Sequence, residues 1–195
     1  STGTIITAAS AVIKNNKFQT PKTLWTKNDA GKLIKIIKAP DADGEAAFVA
    51  EQIRKFGTAA ILYRTNAQSR VFEEALLQSG IPYLLVGGVR FYERKEVKDV
   101  LSYMRLLANP KDTVSYKRIE KLGKGRLNKF LSNLSNLTNL TKTNTTLEIL
   151  DQVLKETGYL ELFNAENEEA LMRLENIKEL RSVATQFPDL TEFLE

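Results

Sequence analysis

The chain has 195 residues, 43% of them apolar, and carries 28 Lys and Arg against 24 Asp and Glu, with no cysteine and no histidine. Those two zeros exclude Ser-His-Asp and Cys-His nucleophilic catalysis, disulfides and the common zinc sites, leaving any metal with carboxylates alone. The apolar content suffices for a real core, no run approaches the roughly 18 apolar residues of a membrane span, and no basic-then-apolar leader opens the chain, which predicts a soluble cytoplasmic protein.

The first element is a helix from Thr4 to Lys14, with Ile5, Ile6, Ala9, Val12 and Ile13 at helical spacing, closed by Asn15-Asn16. Residues 32–39 are rich in β-branched side chains and read as a strand ended by Pro40, Asp41 and Gly44. A helix from Glu45 to Phe56 with Ala46, Val49 and Ile53 inward follows. The apolar run 59–63 then has the pattern of a strand buried on both faces. Thr65 or Asn66 caps a helix that runs to about Ser79, where Gly80 stops it, and residues 83–86 form another short strand before Gly87-Gly88. Strand and helix in alternation predict a parallel α/β layer at the N-terminal side.

Past Gly88 the period becomes helical and stays so. Val97, Val100, Leu101, Met104 and Leu107 make one stripe, Asn109-Pro110 ends that helix, and 147–155 and 168–187 repeat the style. The predicted division is therefore 1–90, α/β, and 91–195, all-helical. Between Leu131 and Thr141, within the second part, sits a near-repeat with Leu every three residues, which reads as a short strained helix or a mobile connector. Its Asn133, Asn136 and Asn139 match a glycosylation pattern that means nothing without a secretory signal. The chain starts with Ser and stops at Glu195 inside a helix-like stretch, as an excerpt of a longer polypeptide would.

Charge is unevenly distributed. Residues 1–109 carry 16 basic and 10 acidic side chains, and 110–195 carry 12 and 14. Within the second part, Lys111 to Lys129 hold seven basic residues against Asp112 and Glu120, and the remainder is strongly acidic. Such a band suits a polyanion, and it equally suits a solvated helical face.

Three segments have the composition of contact sites. Tyr63 to Arg70 follows a predicted strand, where an Arg, an Asn and helix amides can hold phosphate or base edges, or simply form a capped helix with two salt-bridged arginines. Gly87 to Glu96 joins two glycines to Arg90, Phe91 and Tyr92, which can bind a nucleic-acid strand or plug an interface. Leu122 to Leu127, with Gly123, Lys124, Gly125 and Arg126, is either a phosphate-binding hairpin or a plain helix-helix turn. No Gly-x-x-x-x-Gly-Lys-Ser/Thr loop occurs, and the paired acids Glu73-Glu74 and Glu168-Glu169 point in different directions on their helices. No catalytic residue and no metal ligand is assigned.

Taken together, Ala60 to Tyr83 (AILYRTNAQSRVFEEALLQSGIPY), Gly87 to Asp99 (GGVRFYERKEVKD) and Leu101 to Pro110 (LSYMRLLANP) resemble the UvrD/PcrA/Rep type of superfamily 1 DNA helicase, with support from Leu24-Trp25-Thr26 and from Arg173 to Leu180. The resemblance implies a fragment of an ATP-dependent 3′-to-5′ helicase of DNA repair or replication. Residues 1–90 would be the first part of its second RecA-like lobe, and 91–195 most of a helical accessory domain inserted there. It implies that Arg64, Asn66 and Arg90 contact single-stranded DNA, and that Gly123, Lys124, Gly125 and Arg126 stand where the family grips duplex DNA. The departure is at that last site: the family's Pro-containing stretch ending Arg-Gly-Ile-Gly is replaced by residues 118–126 here. The parent would use ATP and magnesium through segments absent from this chain, which has no cofactor of its own and is not catalytic alone. Its partners would be single-stranded DNA, the duplex junction, and repair or transcription proteins docked on the helical domain. A non-catalytic interaction module and a piece of a recombination helicase-nuclease remain the alternatives.

Overall fold

A computed structural model describes residues 1–18, 20, 22–56, 58–163 and 166–195. The chain divides into two units, Ser1–Asp41 and Ala42–Glu195.

In the first unit, α1 spans Gly3–Ile13, within a residue of the predicted helix at each end. Its leading amides are satisfied from outside the helix: those of Gly3 and Thr4 donate to the carbonyls of Asp29 and Ala30, both at 3.0 Å. The side chains of Thr26 and Asn28 donate to the carbonyl of Ser1 at 2.9 and 3.1 Å. The loop after Trp25 thereby supplies the acceptors that α1 lacks at its start.

The second unit contains α2 (Ala42–Ile53), α3 (Ser69–Gln78), α4 (Lys95–Ala108), α5 (Thr113–Glu120), α6 (Lys124–Leu140), α7 (Thr146–Thr157), α8 (Glu168–Gln186) and α9 (Leu190–Leu194). Single 3₁₀ turns at Asn66–Gln68, Phe91–Glu93 and Tyr159–Leu162 lead into α3, lead into α4 and follow α7. Helix α2 packs on α3, whereas α4 touches all five of the helices that follow it. The stripe expected on α4 is buried in full, together with Tyr103 and Leu106, so this helix forms the axis of the core. Phe130 and Leu137 of α6, Leu150 and Val153 of α7, and Ile177 and Leu180 of α8 close around it. Each such side chain contributes roughly 1.5–3 kcal/mol by leaving water.

The Leu-rich near-repeat is the second half of one continuous helix, α6, so the connector alternative is set aside. A three-residue spacing drifts around a 3.6-residue helix, and the drift is visible: Leu137 is buried, Leu134 half-buried and Leu131 at the surface. Helix α7 starts with a capping box, in which the Thr145 amide donates to Glu148 Oε2 at 2.8 Å and the Glu148 amide donates back to Thr145 Oγ1 at 3.4 Å. It ends at Gly158, whose φ of 60° lies in the left-handed region that favours glycine. Arg181 clamps α8 to α7 through both oxygens of Asp151, at 2.6 and 2.8 Å.

The expected α/β class is not found: no strand is present among the described residues, and the chain is helical with extended connections. The three predicted strands, 32–39, 59–63 and 83–86, have no ladder. Ile36 is 96% exposed, Leu62 93% and Leu84 85%, whereas a strand of a parallel layer is covered on both faces. In 61–63 and 83–86 the exposure alternates residue by residue, so each run lays one face inward and leaves the other in solvent. A short apolar run specifies an extended, one-sided segment; becoming a strand also requires a paired backbone, which no neighbouring segment supplies here.

Helix α5 offers a pH test of local structure. The Asp112 carboxylate caps it, accepting from the amides of Val114 and Ser115 at 3.0 and 3.1 Å and from the Ser115 hydroxyl at 2.6 Å. These bonds, the hydroxyl first, hold its carboxyl below the ordinary Asp value. A depressed folded-state pKa contributes stability that is present above the unfolded value and is lost as pH falls through the folded one. Asp112→Ala should therefore cost about 1 kcal/mol at neutral pH. That difference from wild type should shrink in urea titrations as acidification protonates the wild-type carboxyl.

Candidate nucleic-acid interface

The loop after Tyr63 is shaped by Gln68, whose Oε1 accepts from the amides of Arg64 and Thr65 at 2.9 and 3.0 Å. The chain turns at once into α3, with Ala67 buried and the side chains of Arg64 and Asn66 left outside. The two readings of this segment divide between its two arginines. Arg70 is only 3% exposed and takes the structural role, donating from Nε to Glu179 at 2.6 Å and from Nη1 to Glu74. Burial alone would lower its pKa, but the bonds to Glu179 and Glu74 outweigh that and raise it. Arg64 has no ion pair among the described residues.

Arg94, which the sequence reading did not single out, organises the region. It is 8% exposed and spreads its guanidinium over four acceptors. Nε donates to the Val89 carbonyl at 3.1 Å, Nη1 to Asn176 Oδ1 at 2.7 Å, and Nη2 to the Asn66 carbonyl at 2.9 Å and Ser69 Oγ at 2.7 Å. Its carbon Cζ lies 5.3 Å from the centroid of the Phe91 ring. Burial lowers its pKa, although Glu73 and Glu96 pull the other way. Asn176 is fixed in turn, since its amide donates to Glu96. One buried cation thus holds the loop bearing Arg64 and Asn66 against the loop bearing Arg90, and both against α8. The available signal was a polar residue on an apolar stripe: Asn176 is a poor helix former that sits beside Ile177 and Leu180.

The glycine-rich segment divides in a similar way. Phe91 is buried and meets Tyr92 edge-to-face at 5.0 Å, so it plugs the interior rather than offering a stacking surface. The Tyr92 hydroxyl is held by Glu74 at 2.8 Å, and burial followed by that carboxylate raises its pKa. Arg90 stays exposed, its guanidinium 5.9 Å from the Tyr83 ring centroid, at the edge of a cleft of about 230 Å³ between α3 and this loop.

At the third segment, Gly123 takes a φ of 124° and precedes α6, which opens with Lys124, Gly125 and Arg126 and has no side-chain cap. Lys124 and Gly125 are exposed. Arg126 is half-buried and turned back, with Nη1 3.9 Å from where a Cβ on Gly123 would stand. Its Nε and the Tyr103 hydroxyl are both buried without a partner among the described residues. Burial pushes Tyr103 up to about 12. The basic band is correspondingly thinner than its composition suggests. Arg118 is taken by Asp99 at 2.7 Å, leaving Lys111, Lys117, Lys121, Lys124 and Lys129 as its exposed cations.

The phosphate loop is missing from the sequence, and among the described residues no group of three or more Asp or Glu is placed to hold a metal ion. Nor is any helix among them long and apolar enough to cross a membrane.

Exposed cations thus stand on loops braced by buried arginines, beside an all-helical core, and sequence comparison gives the class. Residues 1–187 match the UvrD-like helicase C-terminal domain, and the chain belongs to that family. It is 38% identical to the ATP-dependent DNA helicase PcrA of Bacillus subtilis (strain 168), over 98% of this chain and 32% of that protein. Identity is also 38% to PcrA of Staphylococcus aureus (strain Mu50 / ATCC 700699), over 98% of this chain and 33% of that one. The chain therefore spans about a third of the length of these relatives. The first alignment runs over 240 positions against 195 residues here, so PcrA carries additional residues inside the matched region.

Proposed function

We propose that this chain is the DNA-gripping part of an ATP-dependent 3′-to-5′ DNA helicase of the UvrD/PcrA type, acting in repair or replication in the cytoplasm and not catalytic alone. Residues 1–90 belong to the second motor lobe and 91–195 to the helical accessory domain inserted in it. Arg64, Asn66 and Arg90 contact single-stranded DNA, and the uncapped start of α6 at Gly123, Lys124, Gly125 and Arg126 faces duplex phosphate. ATP and magnesium serve the whole protein through segments outside this one.

The observation that carries this reading is the sharing of Arg94 between the carbonyls of Asn66 and Val89. Two loops distant in sequence are tied to one guanidinium, with Arg64, Asn66 and Arg90 exposed around it. Such a set positions cations and an amide for a backbone and base edges without reading sequence, as a translocating motor needs. Two features further support the duplex contact. The amides of the first turn of α6 have no capping side chain, and Lys124 stands beside them. Arg126, turned inward, serves there through shape more than through charge.

Arg64→Ala in the full-length protein should weaken single-strand binding and raise the DNA concentration needed to stimulate ATP hydrolysis by about tenfold, the loss of one charge-assisted contact of ~1.4 kcal/mol. Unchanged stimulation would remove the single-strand assignment. The acidic surface of α7 to α9 favours a second role as a docking face for repair or transcription proteins, since DNA would avoid it.

A further inference from the structure

We propose that the cleft between α3 and the loop after Gly88 is a pocket for one unstacked base of the bound single strand, with a preference for bases that carry an exocyclic amine. The cleft holds about 230 Å³, and its lining includes Leu77, Tyr83, Arg90, Tyr92 and Glu93. The inference rests on the reading that Arg90 contacts single-stranded DNA, and it names what that strand places beside Arg90.

The walls are apolar and held in place. Leu77 and Tyr92 are both exposed and leave apolar surface for a flat group to cover. Each tyrosine is anchored by its hydroxyl to a carboxylate of α3: Tyr92 donates to Glu74 at 2.8 Å and Tyr83 to Glu73 at 3.3 Å. The rings are thereby ordered before a ligand arrives, which lowers the cost of binding. The Arg90 guanidinium lies 5.9 Å from the centroid of the Tyr83 ring, and an aromatic ring flanked by an exposed guanidinium is a surface on which a base stacks.

The charge balance identifies the ligand. Two of the carboxylates in the lining are already engaged, Glu73 by Ser69 Oγ at 2.7 Å and by Tyr83, and Glu74 by Arg70 and Tyr92. Glu93 is exposed, and its carboxylate has neither a hydrogen bond nor an ion pair among the described residues. Arg90, three residues earlier, has no ion pair among them either. Burial, and then Glu73, raise the pKa of Tyr83; Arg90 lowers it and Glu93 adds a smaller rise, so both unpaired charges act on the same ring. A ligand of one sign would be repelled by one of them. A nucleotide with an amino-bearing base satisfies both, with its phosphate toward Arg90, its ring on Tyr83 and its amine donating to Glu93. Cytosine offers the N4 amine that a carboxylate accepts from, whereas thymine presents the O4 acceptor at that position and is repelled. A bias at one position leaves every base able to pass.

The full chain and its Glu93→Gln variant are titrated at low salt with labelled oligo(dC) and oligo(dT) of equal length. The ratio of dC to dT affinity should be about fivefold higher in wild type than in the variant, the yield of one net hydrogen bond, because the neutral amide serves N4 and O4 alike. The thermal midpoint should not move. Tyr83→Leu should weaken both strands alike, and undiminished affinity there overturns the pocket. An unchanged ratio in Glu93→Gln overturns it as well, as does an equal gain on both strands, which would mark Glu93 as plain surface charge. Free dCMP, followed by tyrosine fluorescence, covers the other source of the same chemistry. Glu93-dependent dCMP binding with an unchanged strand ratio would assign the cleft to a free nucleotide and overturn the strand assignment. Salt-sensitive binding of both strands with an unchanged ratio removes the pocket alone. If wild type shows no salt-sensitive affinity for either strand, the proposed function falls together with the pocket.

Discussion

Arg94→Ala should be among the most damaging single substitutions in this chain, lowering the free energy of unfolding by about 3 kcal/mol. The guanidinium bonds four acceptors in a largely buried place, and alanine would leave Ser69, Asn176 and two backbone carbonyls to find new partners or water. Arg94→Lys should recover little, because a single ammonium on a flexible stem cannot span acceptors that a planar fork reaches together. Urea denaturation measures the loss. Single-strand titration supplies the functional readout, because the loops carrying Arg64 and Arg90 lose their common anchor. A lysine variant with wild-type stability would show that the fork geometry is unimportant.

Asp99→Ala comes next, at about 2–3 kcal/mol. Asp99 is buried on α4 and accepts from Arg118 of α5 and from the Tyr159 hydroxyl of the 3₁₀ turn after α7, so one carboxylate ties three elements. Removing one member of a buried pair costs about 3–5 kcal/mol when the other cannot escape, but the Arg118 side chain is 33% exposed and can return to water, which reduces the figure. The hydroxyl of Tyr159 has no such exit. Burial and then Asp99 raise the Tyr159 pKa, so the alanine variant should also bring its tyrosinate absorbance to lower pH. Asp99→Asn, which keeps an acceptor for the hydroxyl, should lose about half as much. Equal losses in the two variants would mean that the tyrosine bond contributes nothing.

Legibility in the sequence followed the physical source of each feature. Helices with an apolar stripe, α4 above all, could be read within a residue or two because their period is local, although α2 starts and ends three residues before its predicted bounds, and helix starts could have been read better: the Thr145 to Glu148 capping box was there to be seen. The strands could not be read in this way. Residues 59–63 and 83–86 have strand composition, but pairing is a property of two segments, and alternating exposure over 61–63 and 83–86 is all that the composition secured. Arg64, Asn66 and Arg90 emerged from their neighbours along the chain. Arg94 and Asp99 did not, because their importance comes from Asn176, 82 residues away, and Tyr159, 60 residues away. The charge of the 111–129 band was countable, whereas its accessible share was not, since Arg118 turns to Asp99 and Arg126 turns inward.

In the proposed function, the loops held by Arg94 grip single-stranded DNA through exposed cations. The most direct measurement of this grip is single-strand affinity of the full chain as a function of salt, for wild type and for the Arg64→Ala/Arg90→Ala variant. Weak, salt-sensitive binding is expected, with a slope that falls by about 1.4 when the two arginines are removed, at near 0.7 per contact on a single strand. Identical slopes and affinities for the two proteins would contradict it.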